Sequence, residues 1–192
     1  MRQAGYVLTG GASSRMGRDK ALLPFRGATL VEWVARQVKT AAGSVTLVGP
    51  PSRYSFPGLA VIEDQHAGCG PLSGIEAALG HSTAEWNLVA ACDMPNLTSS
   101  FLSWLIEEAV AAPEDIVMPL GPAGREPLCA VYRRSCLPAA RDALARGQYK
   151  LSDAFGSLRT KLLPVGDPTA LVNANTPLDW EAALRHAGAC HG

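Results

Sequence analysis

Near its amino terminus the chain reads Tyr6-Val7-Leu8-Thr9-Gly10-Gly11-Ala12-Ser13-Ser14. The apolar start predicts a short buried strand, and the small and polar residues after Leu8 suit neither a helix nor a strand. We therefore expect a tight loop directly after the first strand. Two basic side chains, Arg15 and Lys20, follow closely behind it.

Apolar runs and amphipathic segments alternate along the rest of the chain. Further strands are expected at 45–48, 59–62, 86–91, 115–118 and 127–132, and helices near 98–110 and 137–145. Thr29 is expected to cap a helix, and a last helix is expected to start at Pro177. This order predicts an α/β fold with a mainly parallel sheet sandwiched by helices. We expect residues 1–192 to form a single domain, with a β-rich insertion at 119–161.

Composition limits the classes of partner. The 192 residues are 47% hydrophobic and 18% charged, which is typical of a globular protein. There are 17 basic and 17 acidic residues, so no net charge attracts a nucleic acid. No apolar stretch is long enough to cross a membrane, and we expect no secretory leader. We expect a cytoplasmic protein with a small-molecule partner, no nucleic acid and no membrane.

Cysteines and histidines show no metal-binding pattern. The five cysteines are odd in number and scattered, which fits neither a disulfide framework nor a zinc site. The four histidines also lack the spacing of metal ligands. We expect reduced thiols and no structural zinc.

The loop after the first strand is predicted to bind phosphate. Ligands of open α/β sheets bind outside the carboxyl ends of the strands. Small residues let backbone N–H groups approach phosphate oxygens, while Arg15 and Lys20 add positive charge. Neither the Walker A pattern nor the Gly-x-Gly-x-x-Gly dinucleotide pattern matches this loop. The alternative is a surface turn whose two basic side chains are solvated.

Asp93 is the strongest candidate for a metal ligand. It follows the apolar run 86–91, so we expect it half-buried at the rim of the sheet. An unpaired carboxylate there is costly, and Mg²⁺ prefers one or two carboxylates together with phosphates and waters. The sequence therefore predicts a magnesium ligand, and the alternative is an aspartate that caps the turn before Pro95.

Other polar residues also follow expected strands or precede the last helix. Asp64 follows the strand at 59–62, and Asn173 and Asn175 lie just before Pro177. Asparagine suits a nucleotide edge or the water shell of a metal. From spacing alone, the two asparagines are better interpreted as turn formers.

The sequence resembles the MobA-type molybdenum-cofactor guanylyltransferases over nearly its whole length. Their opening pattern, Leu-x-Gly-Gly-x-Ser-x-Arg-Met-Gly-x-Asp-Lys, is matched at 8–20. Their Gly-Pro-Leu-x-Gly, Cys-Asp-Met-Pro and Asn-x-Asn-Thr-Pro-x-Asp patterns are matched at 70–74, 92–95 and 173–179, and 126–132 is similar to the family's strand beside the acceptor pocket. Four patterns in the right order make the resemblance specific.

The resemblance implies a Rossmann-like nucleotidyltransferase fold. It implies a Mg²⁺-dependent enzyme that transfers GMP from GTP to the phosphate of molybdopterin and releases pyrophosphate. The nucleotide-binding residues so implied are Leu8, Thr9, Gly10, Gly11, Lys20, Asp64, Gly70, Pro71, Leu72 and Asp93. Lys20, Arg15 and Asp93 would be catalytic, Asp93 would bind the metal, and Asn173 and Asn175 would lie on the acceptor side. Further expectations are transient contact with molybdoenzymes or their chaperones, and a monomer or weak homo-oligomer.

The chain departs from the family pattern in places. Thr9 stands where alanine is usual, and Val48 stands where some members carry an asparagine that contacts the nucleotide. The segment 49–57 is unlike the pattern, so that edge of the nucleotide pocket has no assigned residue.

Three alternative functions remain open. One is a CTP-dependent cytidylyltransferase for the same cofactor, in which Ala-Ala is usual at 9–10, and Gly10-Gly11 favours guanine. Another is a sugar-phosphate nucleotidyltransferase, which lacks the late Asn-x-Asn-Thr-Pro pattern. The third is a non-catalytic adaptor that binds GTP or the cofactor, and the presence of both Lys20 and Asp93 argues against it.

Overall fold

A mainly parallel β-sheet forms the centre of the computed structural model, which describes residues 2–10, 19–66 and 68–189. The strands of this sheet are β1 (Gln3–Leu8), β4 (Thr46–Val48), β5 (Ala60–Ile62), β6 (Trp86–Ala91), β7 (Ile116–Gly121), β8 (Gly124–Arg125), β9 (Cys129–Arg133) and β10 (Thr160–Pro164). A separate hairpin consists of β2 (Pro24–Phe25) and β3 (Ala28–Thr29).

The strand order in the described sheet is β10-β7-β9-β6-β1-β4-β5, and β8 pairs with β7 at one edge. β1 pairs in parallel with both β4 and β6, and β4 pairs in parallel with β5. β9 is antiparallel to both of its neighbours, β6 and β7. The amino end of β9 therefore lies beside the carboxyl end of β6.

The segment 119–161, for which the sequence predicted a β-rich insertion, contributes strands to the main sheet. β9 lies inside the main sheet, because its fully buried residues 129–132 fill the place between β6 and β7. The same segment also contains the helices α4 (Leu137–Ala145) and α5 (Leu151–Phe155). The segment is thus part of the main layers of the fold.

The other helices are α1 (Leu30–Ala42), α2 (Pro71–His81), α3 (Ser99–Ala111) and α6 (Pro177–Ala189). The predicted cap at Thr29 is confirmed, because its hydroxyl accepts from the Glu32 amide and the Glu32 carboxylate accepts from the Thr29 amide. The predicted start of the last helix at Pro177 is also confirmed. Thr176 and Asp179 exchange hydrogen bonds there, which satisfies amides at the helix start.

Two apolar cores cover the two faces of the sheet. Side chains alternate along β1, so that Val7 packs with α1 and α3 while Tyr6 and Leu8 pack with α2 and α4. All three side chains are almost completely buried. Burial of such a side chain contributes roughly 1.5–3 kcal/mol. The result is the predicted three-layer arrangement, with the sheet between two layers of helices.

The four cysteines in the described residues, Cys69, Cys92, Cys129 and Cys136, are free thiols, as predicted. Among the helices in the described residues, none is long and apolar enough to cross a membrane.

Candidate active site

A cavity of about 640 Å³ opens at the carboxyl ends of β1, β4 and β6. Its walls come from the end of β1, the 3₁₀ turn at Lys20–Leu22, the residues after β4 and β5, the first turns of α2, and the residues after β6. Ligand pockets in proteins span about 300–1,000 Å³. The cavity is therefore large enough for a nucleotide, and it lies at the rim where the sequence predicted a ligand.

Most of the predicted site residues that the structure describes line this cavity. They are Leu8, Thr9, Gly10, Lys20, Asp64, Gly70, Pro71, Asp93 and Asn175. Leu72 and Asn173 are not among its lining residues, although both lie in the described part of the chain. Gly11 and Arg15 lie outside the described residues, so their roles stay predictions.

Leu72 is buried because of its position in α2. It is the second residue of the helix, and its side chain is fully buried in the core beneath α2. The neighbouring Gly70 and Pro71 line the cavity instead. Gly70 has a φ of 73°, a backbone conformation that glycine adopts without strain.

Lys20 is the first residue of the 3₁₀ turn at Lys20–Leu22. Its ammonium donates to Asn175 Oδ1 at 2.9 Å and to the carbonyl of Ala174 at 3.1 Å. The same ammonium lies 3.9 Å from Asp93 Oδ2, and the Lys20 side chain is only 14% exposed. The predicted phosphate-binding cation and the predicted metal ligand therefore face the same space.

The backbone carbonyl of Asp93 makes a hydrogen bond, whereas one oxygen of its carboxylate has no hydrogen-bond partner among the described residues. Its carbonyl accepts from the amide of Ala174 at 2.8 Å, which ties the end of β6 to the segment before α6. Oδ1 is buried and has no hydrogen-bond partner among the described residues. Burial raises the pKa of the Asp93 carboxyl, and the Lys20 ammonium opposes this shift only in part.

Asp93 has the features that a divalent cation needs from a protein ligand. A buried carboxylate oxygen without a partner gains from a cation, and Mg²⁺ commonly takes one or two carboxylates plus phosphate oxygens and waters. Within the described residues there is no cluster of three or more histidine, cysteine, aspartate or glutamate side chains that could hold a metal by themselves. Asp93 therefore fits a metal that shares its coordination with a substrate.

Asp64 connects the end of β5 to the second glycine-rich loop. Its Oδ2 lies 2.5 Å from the Ser73 hydroxyl, and its Oδ1 accepts from the His66 amide at 2.8 Å. The Ser73 hydroxyl also lies 2.7 Å from the carbonyl of Gly70. Asp64 thus shapes the cavity wall at Gly70, and its carboxylate also lines the cavity.

Asn173 has a different environment from Asn175. Its side chain lies near Glu126, a half-buried carboxyl whose pKa is raised chiefly by burial and lowered in part by Asn173. Glu126 precedes β9, and the antiparallel course of β9 brings this end to the carboxyl end of β6, where Leu128 lines the cavity. Sequence reasoning missed Glu126 as a site residue, although the similarity at 126–132 had marked its neighbourhood.

Tyr54 is a second residue that sequence reasoning missed. Its hydroxyl lies 3.1 Å from the carbonyl of Thr9 and 2.8 Å from Asp19 Oδ2. The segment 49–57 matches no pattern, so no feature of the sequence pointed to this contact.

The fold and the cavity together define an α/β protein with a nucleotide-sized cavity at the carboxyl ends of its strands, on whose wall a lysine lies 3.9 Å from a strand-end carboxylate. Residues 5–161 match the family model of the MobA-like NTP transferase domain. The chain belongs to this family of nucleotidyltransferases.

Relatives and solved structures agree with this assignment. A probable molybdenum cofactor guanylyltransferase of Nostoc sp. is 35% identical over 179 residues, which cover 90% of this chain and 86% of the relative. One of the same name from Synechococcus elongatus is 35% identical over 190 residues, or 95% of this chain and 98% of the relative. The crystal structure of molybdopterin-guanine dinucleotide biosynthesis protein A from Archaeoglobus fulgidus is 28% identical, with a TM-score of 0.83 and coverage of 97% of this chain and 99% of that chain.

Proposed function

We propose that the protein transfers GMP from GTP to the phosphate of molybdopterin, which forms molybdopterin guanine dinucleotide and releases pyrophosphate. The observation that carries the proposal is the approach of Lys20 Nζ to Asp93 Oδ2, at 3.9 Å, on the wall of a nucleotide-sized cavity. The 35% identity to probable molybdenum cofactor guanylyltransferases, over nearly the full length of both chains, supports the choice of substrates.

In this proposal a divalent metal ion, Mg²⁺, is held by Asp93. The unpartnered Oδ1 and the burial of the carboxylate support this role. The metal would supply positive charge to the triphosphate, and phosphate oxygens and waters would complete its coordination. Asp93 must be ionised to hold it, so the same burial that raises its pKa makes binding sensitive to acid.

Lys20 neutralises charge on the triphosphate. An ammonium has three N–H donors, and Lys20 uses two of them on Ala174 and Asn175. No further acceptor among the described residues lies within hydrogen-bond distance of the third, which is proposed to donate to a phosphate oxygen in the same cavity. Charge neutralisation of this kind stabilises the pyrophosphate as it leaves. Arg15 is proposed to add a second positive charge.

The acceptor phosphate attacks the α-phosphorus of GTP in line. A phosphate is largely ionised near neutral pH, so the reaction needs no general base. The rate then depends on holding the two substrates in line and on neutralising their charge. We place Asn175 on the acceptor side, since it lines the cavity, and we propose that Asn173 acts there through its contact with Glu126.

The nucleotide is proposed to bind along Leu8, Thr9, Gly10, Asp64, Gly70 and Pro71, with Asp64 at its guanosine moiety. These residues line the same cavity. Gly11 and Leu72 are also proposed to bind the nucleotide. We further propose a cytoplasmic monomer or weak homo-oligomer that contacts molybdoenzymes or their chaperones only transiently.

Pyrophosphate release from the purified protein tests the proposal. The expected result is turnover that requires molybdopterin, GTP and Mg²⁺ together. Faster turnover with CTP would indicate the cytidylyltransferase, and turnover with a sugar phosphate in place of molybdopterin would indicate a sugar-phosphate nucleotidyltransferase. GTP binding without turnover, unaffected by Mg²⁺, would indicate the adaptor and contradict the proposal.

A further inference from the structure

The segment that joins β4 to β5 places Tyr54 beside Thr9 and Asp19. The Tyr54 side chain is 2% exposed, and its ring belongs to the apolar core that includes α1 and α3. Its hydroxyl is the polar end of an otherwise buried side chain. A buried hydroxyl needs hydrogen-bond partners, and the partners of Tyr54 are Thr9 and Asp19.

Thr9 and Asp19 lie on either side of residues 10–18, the phosphate loop, and we call them its two stems. The Tyr54 hydroxyl lies 3.1 Å from the carbonyl oxygen of Thr9 and 2.8 Å from Oδ2 of Asp19. One buried side chain therefore contacts both stems at once. The hydroxyl has a single proton, which it shares between these two acceptors with Asp19 the nearer, so a residue remote from both stems in the sequence bridges them.

The Thr9 stem is held closely against the β4 end. Both the amide and the hydroxyl of Thr9 donate to the carbonyl of Val48, at 3.0 and 2.9 Å. Gly49 comes next, and a Cβ there would lie 2.0 Å from Thr9 Oγ1 and 3.3 Å from the Tyr54 ring. The absence of a side chain at Gly49 lets Thr9 and Tyr54 meet.

Asp19 connects the Tyr54 hydroxyl to the turn that begins at Lys20. Asp19 Oδ2 lies near the Tyr54 hydroxyl, while Oδ1 accepts from the Ala21 amide and caps the turn that begins at Lys20. Arg53 is 3.6 Å from the same carboxylate, but its side chain is 60% exposed, so its contribution is small. The hydroxyl of Tyr54 is the buried partner of this carboxylate.

The Tyr54 hydroxyl stays protonated and able to donate. Burial raises the pKa of Tyr54, and the hydrogen bond to Asp19 raises it further. Hydrogen bonds to an ionised acceptor are among the stronger ones in proteins.

We propose that Tyr54 is a positioning residue of the active site: its hydroxyl sets the spacing of Thr9 and Asp19 and, through Asp19, holds Lys20 in place against Asp93. The effect of Tyr54 on catalysis rests on the proposed function, whereas its effect on the spacing of Thr9 and Asp19 does not. Tyr54 itself is not among the residues that line the cavity in the described part of the chain.

The test compares Tyr54→Phe with Tyr6→Phe. Tyr6 is a matched control, because it is also 2% exposed and its hydroxyl makes a hydrogen bond, at 3.1 Å to His81, outside the cavity lining. Tyr54→Phe is expected to lower kcat/KM for GTP roughly tenfold, mainly through kcat, the scale of one hydrogen bond to a charged group. Tyr6→Phe is expected to stay within about twofold of wild type.

Amide hydrogen exchange provides a readout that needs no turnover. The amides of Ala21, Leu22 and Leu23 bond to Asp19 or Lys20, so their exchange reports on the Asp19 stem. Exchange at these amides is expected to quicken about fivefold or more in Tyr54→Phe and to stay unchanged in Tyr6→Phe. Unchanged exchange in both variants overturns the positioning role.

A double-mutant cycle tests whether Tyr54 acts through Asp19. In an Asp19→Ala background, Tyr54→Phe is expected to change kcat/KM by less than about twofold, since its partner is already gone. A tenfold loss in both backgrounds, or equal losses from Tyr54→Phe and Tyr6→Phe, contradicts the proposal. If the wild-type protein does not turn over GTP, the proposed function fails, and the exchange experiment still decides whether Tyr54 fixes the stems.

Discussion

The polar groups of Lys20 and Asp93 are incompletely paired within the described part of the chain. Lys20 Nζ donates two hydrogen bonds there, and Asp93 Oδ1 is buried without a partner. Residues 174–175 contact both of them. The Lys20 ammonium donates to Ala174 and Asn175, and the backbone carbonyl of Asp93 accepts from the Ala174 amide. At the scale of single residues, the site is arranged to gain from charged ligands.

Replacement of Lys20 by alanine tests its part in the transition state. We expect Lys20→Ala to lower kcat about 100- to 1,000-fold, because a preorganised charge partner is lost. Steady-state pyrophosphate release at saturating GTP measures this, with Lys39→Ala as the exposed control in α1. Wild-type turnover in Lys20→Ala would refute the assignment.

Replacement of Asp93 by asparagine is expected to separate stability from activity. Folding raises the pKa of Asp93, so folding disfavours its ionised form. The free energy of unfolding therefore falls as the pH rises from the pKa of the unfolded chain to the raised pKa of the folded protein. In the absence of metal, Asp93→Asn should therefore raise Tm by on the order of a few °C near neutral pH, while it abolishes activity. Thermal unfolding at pH 7.5 with a chelator, alongside turnover with Mg²⁺, measures both; a lowered Tm or retained activity contradicts the expectation. (The asparagine keeps the shape of the side chain.)

The elements that form the site could be predicted in part. Strand β1, the cap at Thr29 and the helix start at Pro177 follow from local residue chemistry, and all were confirmed. The direction of β9 was not predictable, because an apolar pattern marks a strand without stating which way it runs in the sheet. Leu72 shows the same limit, since a pattern match does not say whether a side chain faces the cavity or the core.

At the scale of secondary-structure elements, a substitution at Gly49, directly after β4, tests how closely this segment must pack against Thr9. Gly49→Ala is expected to lower kcat/KM at least about tenfold, because its Cβ would collide with the Thr9 hydroxyl. Thr9→Ala removes that atom, so the double variant should recover most of the loss. Gly166→Ala is the control, since a Cβ there meets nothing within 4 Å. Failure of Thr9→Ala to improve Gly49→Ala would show that the collision is not the cause.

At the scale of the whole molecule, a parallel sheet brings distant segments to one rim. The ends of β1, β4, β5 and β6 meet there because these strands run in the same direction. The sequence predicted this convergence, and with it the neighbourhood of Lys20, Asp64 and Asp93. It did not predict Tyr54 or Glu126, because their roles depend on long-range contacts that no local pattern encodes.

Ligand binding at this rim should stabilise the whole fold. GTP with Mg²⁺ at about 100 times its Kd should add about 2.7 kcal/mol, or roughly 5–10 °C in Tm for a chain of this size. GTP without Mg²⁺, or CTP with it, should give a clearly smaller shift. Thermal unfolding with each combination measures this, and equal shifts for GTP and CTP would remove the preference for guanine.

The contacts of Ala174 and Asn175 with Lys20 and Asp93 have a consequence for how members of the family diverge. The family model ends at residue 161, so these contacts come from beyond the matched domain. Changes at 174–175 would alter the surroundings of Lys20 and Asp93 while every residue of the matched domain stayed the same. A comparison confined to residues 5–161 would therefore leave out this part of the cavity wall.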